Sequence, residues 1–164
     1  MPLTNFDSLP SSARVWVFAC DRNLTCEQAR PLLAQVDAYL AQWKAHGSPL
    51  RCAREWVHHR FLAVGIDPTA EQASGCSIDD LFRTLRDIGQ SVGTQMLAGG
   101  RVFYRDAHGE VQAVSRAEFS ALAGRGDVTA DTMIFDTSVI LADDWRQRFE
   151  RKAGEAWTGE LLTA

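Results

Sequence analysis

The chain reads as an α+β protein built on a mainly antiparallel sheet, and three observations carry that prediction. Short runs rich in β-branched and aromatic residues recur along the 164 residues, several joined by links of hairpin length. Two longer stretches place their apolar residues at helical spacing behind capping signatures. A composition of 46% hydrophobic and 23% charged residues supplies enough apolar material for a core without disulfides or a structural metal. The expected layout is an N-terminal β-α-β-β-α unit over 14–98, its two helices covering one face of the sheet. A C-terminal β-β-α-β element with a terminal helix, over 99–164, packs on it as one domain.

Residues 1–13, with Pro2, Asn5, Ser8, Pro10, Ser11 and Ser12, have turn chemistry and read as a flexible leader. Residues 14–20, Arg-Val-Trp-Val-Phe-Ala-Cys, are too apolar on both faces for an edge and predict a central strand. Thr25 with Gln28 offers a capping box ahead of the stripe Leu32, Leu33, Val36, Tyr39, Leu40 and Trp43, with Pro31 setting either the helix start or a kink. Gly47 and Pro49 stop that helix. Residues 50–57 and 60–66 predict a hairpin turning at His58 and His59. A second helix carries Leu81, Phe82, Leu85 and Ile88 and ends near Gly89 or Gly93.

Beyond residue 100, the runs 101–105 and 110–114 flank Asp106-Ala107-His108-Gly109, a four-residue hairpin loop by composition. Ser115 with Glu118 caps a short helix holding Phe119 and Leu122, and 132–136 returns as a strand. Trp145, Phe149, Ala153 and Trp157, four apart, predict a terminal helix over about 144–157.

A net charge of −4 argues against a general nucleic-acid or membrane-surface binder. No apolar run approaches the ~20 residues of a membrane span, and no charged-then-apolar leader opens the chain, so the expected location is cytoplasmic. Cys20, Cys26, Cys52 and Cys76 are scattered, with no C-x-x-C pair and no recurrent spacing to His46, His58, His59 or His108. Reduced thiols are expected, with no zinc and no cofactor.

The most informative stretch is Ser74-Gly75-Cys76-Ser77-Ile78-Asp79-Asp80 at the start of the second helix. A helix N-terminus has free N–H groups and a partial positive charge, which favour an anion and lower a thiol pKa. Ser74, Gly75 and Ser77 are candidate ligand-binding residues and Cys76 a candidate nucleophile with His58 as its base. The alternative reading is a plain cap, with Ser77 as N-cap and Asp80 completing a variant capping box. Asp21, Asp67 and Asp136 each follow a predicted strand, as candidate magnesium ligands or as ordinary turn residues. Trp43, Trp56, Trp145 and Trp157 offer a ligand platform or a core, and Arg51, Arg54 and Arg60 a basic face or scattered surface charge.

Phe103-Tyr104-Arg105-Asp106, Glu110-Val111, Ser115-Arg116-Ala117-Glu118-Phe119, Leu122, Gly126-Asp127-Val128 and Asp131-Thr132-Met133-Ile134-Phe135 together resemble bacterial GYF-like domains over 101–139. Where that family commonly carries Gly-Pro before the serine, this chain has Gln112-Ala113-Val114. The resemblance implies a ββαβ layout, and through it a protein or peptide partner with Tyr104 in the binding surface. Over its whole length the chain is similar to a bacterial family some of whose members carry the label "ABC transporter ATPase". Val15-Trp16-Val17-Phe18, Phe61-Leu62-Ala63-Val64, Ser74-Gly75-Cys76-Ser77-Ile78-Asp79, Tyr104-Arg105-Asp106 and Phe135-Asp136-Thr137 carry that similarity. No G-x-x-x-x-G-K-[S/T] loop accompanies it, so nothing in the chain cradles a nucleotide in that manner. The expected function is a non-catalytic binding or adaptor protein; the alternative is an enzyme or an anion-binding or small-ligand-binding protein with its site at Gly75–Ser77.

Overall fold

The computed structural model describes residues 3–97 and 99–163. In chain order its elements are β1 (Arg14–Cys20), α1 (Cys26–Leu40), β2 (Lys44–Ala45), β3 (Ser48–Pro49), β4 (Cys52–Val57), β5 (Phe61–Ile66), α2 (Gly75–Ser91), β6 (Met96–Leu97), β7 (Val102–Arg105), β8 (Val111–Val114), α3 (Arg116–Gly124), β9 (Met133–Phe135), α4 (Ala142–Arg148) and β10 (Glu150–Lys152). The strands form two four-stranded antiparallel sheets, ordered β4-β5-β1-β6 and β10-β9-β7-β8, and a separate β2-β3 hairpin. The α+β class is as the sequence predicts, and α1 and α2 cover one face of the first sheet.

The other face of that sheet is buried as well. Alternate side chains of a strand point to opposite faces. Trp16, Phe18 and Cys20 of β1, with Leu62, Val64 and Ile66 of β5, meet the helices. Val15, Val17 and Ala19, with Phe61 and Ala63, meet Phe103, Phe135, Trp145 and Phe149 of the C-terminal unit. Phe61 is the hub: its ring lies 5.2 Å from Phe103 and 5.1 Å from each of Phe135 and Phe149, centroid to centroid. The contacts with Phe103 and Phe149 are edge-on and that with Phe135 is tilted; such ring pairs add to area burial, so the hub is a main tie between the two sheets.

Residues 3–13 are no flexible leader. Phe6, Leu9 and Ala13 are buried in the second core, and a Cβ placed on Gly65 would stand 2.5 Å from Leu9 Cδ1. Phe6 and Leu9, spaced among turn formers, dock where Gly65 of β5 offers no side chain; Met1 and Pro2 lie outside the described residues. The terminal helix is shorter than expected. α4 stops at Arg148, and Glu150–Lys152 instead pairs with the free edge of β9. The fourfold spacing misled because its members divide between two cores, Trp145 and Phe149 in one and Ala153 in another. Pro31 does not displace α1, whose capping box at Thr25 and Gln28 starts the helix at Cys26.

The cap of α2 is Ser74, three residues before the expected Ser77. Ser74 Oγ accepts the Ser77 N–H (3.1 Å), while Ser77 Oγ accepts the Ser74 N–H (2.8 Å), a reciprocal box made by two serines. Ser77 can take the third helical position because its carbonyl also accepts Trp43 Nε1–H at 2.9 Å, which pins the first turn. Ser74→Ala is expected to lower stability by ~1 kcal/mol, as loss of an N-cap does. Urea denaturation checks this, with an unchanged midpoint counting against the cap.

Candidate functional site

The structure separates the residues that the sequence singles out. Cys76 is exposed at the α2 start, where Ala73 shares a small apolar depression with Arg14, Trp16 and Ile66. His58 lies beyond the opposite end of β5, past Phe61, roughly 16 Å of strand away. Its ring packs on Phe135 at 5.0 Å, on the sheet face that α2 does not touch. His58 Nε2 pairs instead with Glu150 at 3.2 Å. Gly75 has ordinary backbone geometry and open space around it, so no close approach there demands glycine. Tyr104 is buried against Phe119 and not presented to solvent.

The three strand-end aspartates also lie apart. β1 and β5 run antiparallel with Arg14 opposite Ile66, so Asp21 and Asp67 sit at opposite ends of one sheet. Asp136 belongs to the other sheet, buried and bonded to Arg151 and Ser138. Among the described residues no cluster of metal-ligating side chains forms. Trp43, Trp145 and Trp157 belong to three different cores. Arg51 and Arg54 pair with Asp67 and Asp37, which leaves Arg60 to be explained by itself.

Arg60 is only 5% exposed. Its Nε–H donates to Cys20 O (3.0 Å), Nη1 to Val111 O (3.0 Å) and Asn23 Oδ1 (3.3 Å), and Nη2 to Asp21 O (2.8 Å). The guanidinium also stands 5.6 Å from the Phe103 ring centre. None of its acceptors is a carboxylate. Burial pulls its pKa below the ordinary arginine value, with nearby Cys20 and Asp21 opposing the shift and Arg101 adding to it. An arginine stays protonated even so, and the buried positive charge is held by neutral acceptors, with no carboxylate hydrogen-bonded to it.

The turn that delivers Arg60 is strained. His58 (φ 55°) and His59 (φ 57°) are both left-handed, with Arg60 N–H closing onto Val57 O at 3.2 Å, as in a type I′ hairpin turn. Non-glycine residues in that region cost of order 1–3 kcal/mol each. The His58–Glu150 pair, the tilted ring contact with Phe135 and the bond from Leu24 N–H to His59 O (2.8 Å) hold the turn in place.

Arg60 forms part of the wall of a polar cleft of about 500 Å³ between the two sheets. Arg22 and Arg101 line it with Asp21, Glu110, Gln95 and the outer side of β8. Arg22 donates to Gly93 O at 3.1 Å and approaches Gln28, whereas Arg101 is exposed and pairs with no group among the described residues. A second hollow of about 430 Å³, lined by His58, His59, Thr25 and Arg105, adjoins it through Asn23, Glu110 and Val111. Three arginines against two carboxylates make the cleft locally positive on a chain whose net charge is −4. Sequence reading missed this site because Arg22, Arg60 and Arg101 are far apart in the chain. The one available signal was an arginine directly after a His-His turn and before an apolar strand.

The chain matches no family model, no curated protein and no solved structure. Its chemistry therefore rests on the geometry.

Removing the Arg60 fork should be costly. Arg60→Leu leaves the Cys20, Asp21 and Val111 carbonyls without their donor, and an unsatisfied buried acceptor costs about 1–3 kcal/mol. A loss of ~3 kcal/mol or more in urea denaturation is expected; a loss below ~1 kcal/mol would show that water replaces the fork. The thiols give a separate check. Cys26 and Cys76 are exposed, while burial raises Cys20 and Cys52 from 9.0 to about 11. Alkylation at pH 8 should modify two thiols in native protein and four in denaturant. Because the folded state favours the neutral thiols, their contribution is complete below about pH 9 and is lost as pH rises through about 11. The melting temperature should fall across that window, and a flat profile would contradict it.

Proposed function

We propose that the chain is a binding protein whose ligand presents an anionic group to the cleft between the two sheets. Arg60 carries this reading: a buried guanidinium with no carboxylate hydrogen-bonded to it lines one cleft with Arg22 and Arg101. An anion seated there would balance the excess of three arginines over Asp21 and Glu110, and bonds to an ionised partner are roughly twice as strong as neutral ones. Arg101, exposed and unpaired among the described residues, is the side chain placed to meet it.

An adaptor role fits the same surface better than an apolar groove does. Phe103 and Tyr104 are buried, and the large hydrophobic side chains exposed among the described residues are Ile140 and Leu141. Recognition would then rest on charge and hydrogen bonding. The β-β-α-β order of 102–135 supports the GYF-like resemblance, and with it a protein or peptide partner. Four unpaired cysteines suit a reducing, cytoplasmic setting, and among the described residues no helix is long and apolar enough to cross a membrane.

Titration with citrate, inorganic phosphate and pyrophosphate at low salt, followed by melting temperature and calorimetry, tests the reading. At least one anion should stabilise the wild type, with affinity falling as salt rises. Arg101→Ala should weaken it at least tenfold while leaving the unliganded melting temperature unchanged. An equal response in Arg101→Ala and wild type, or no response to any of the three, would overturn the proposal.

A further inference from the structure

Resting on that reading, we infer that the ligand is an extended acidic segment of another polypeptide, which adds as a strand to the open edge of β8. β8 ends the order β10-β9-β7-β8, so among the described residues one side of its backbone has no neighbouring strand. Four consecutive residues of this edge, Glu110, Val111, Gln112 and Ala113, line the arginine cleft. Strand addition uses such an edge: main-chain bonds supply affinity and alternate side chains supply selectivity.

The ladder shows which groups are open. Asp106 N–H donates to Glu110 O at 2.9 Å across the hairpin, so the even-numbered residues of this strand turn their polar groups toward β7. The odd-numbered residues turn theirs outward. Val111 O does so and is taken by Arg60. Ala113 sits two residues on, so its N–H and C=O face the cleft together. A small anion would use the arginines and leave this donor and acceptor idle. A peptide backbone satisfies both, and its acidic side chains reach Arg101 and Arg22 along the same wall. Those charges select an acidic partner over a basic one.

The test uses the full chain and a labelled, end-capped octapeptide alternating valine and glutamate, read by fluorescence anisotropy. The peptide should bind, and its lysine counterpart should bind at least tenfold more weakly. Of two versions N-methylated on the odd or the even residues, one should lose affinity at least tenfold and the other keep it. Ala113→Pro removes only an N–H outside the β7 ladder, which an edge strand tolerates, and should lose binding to the same degree. Should that variant fail to fold, the N-methylated pair decides by itself. Equal binding of parent and both methylated peptides would overturn strand addition. Binding of citrate without binding of the peptide would overturn it too while leaving the anion site standing. Failure of both probes would remove both.

Discussion

The structure depends on a sheet buried on both faces. In β1 and β5, Arg14 and Gly65 apart, every second side chain enters the core beneath α1 and α2, and the others enter the core shared with the C-terminal unit. Neither strand keeps a polar face, so the two units cannot separate without exposing Phe61, Val15 and Val17 to water. Truncating one such aromatic typically costs about 3–5 kcal/mol. That exceeds the strain at either His58 or His59, of order 1–3 kcal/mol each, which is why a left-handed turn can persist at the end of this hairpin.

The strained turn and Arg60 form one device. Phe61 must enter the aromatic hub, and the residue before it is thereby fixed at the seam between the sheets. Arginine suits that place because its planar fork reaches three backbone carbonyls at once, two at the end of β1 and one on β8. The bonds tie both units through neutral acceptors and leave a positive charge in the seam. Stability and electrostatics thus come from the same side chain, and the proposed anion site would be a consequence of how the units are joined.

Much of the fold was legible in the sequence, and the candidate site was not. β1 announced itself as central because all but its first residue are apolar, and the capping residues of α1 and α3 stood where Thr25 and Ser115 suggested. The α2 start was misplaced by three residues because Ser74 and Ser77 are chemically alike, and only the tertiary bond from Trp43 to Ser77 O fixes which one caps. The two-residue strands β2, β3 and β6 carry too few side chains to show a period, and β10 was hidden by an accidental helical spacing. Cys76 and His58 looked like partners because sequence says nothing about which end of an antiparallel strand each occupies. Arg60 looked like surface because burial of an arginine is decided by carbonyls that no pattern records.

The cleft follows from sheet order. β6 ends the first sheet and β8 ends the second, and both line the same opening. Two open edges facing one space would invite pairing with any passing strand, a hazard that proteins commonly limit with short edges and charge. Both devices are present: β6 has two residues, β8 has four, and arginines stand between them. Under the proposed strand addition, charge of one dominant sign would do more than deter, because it would repel basic segments and admit acidic ones. The arrangement that protects the edges is therefore also the arrangement that would select a partner.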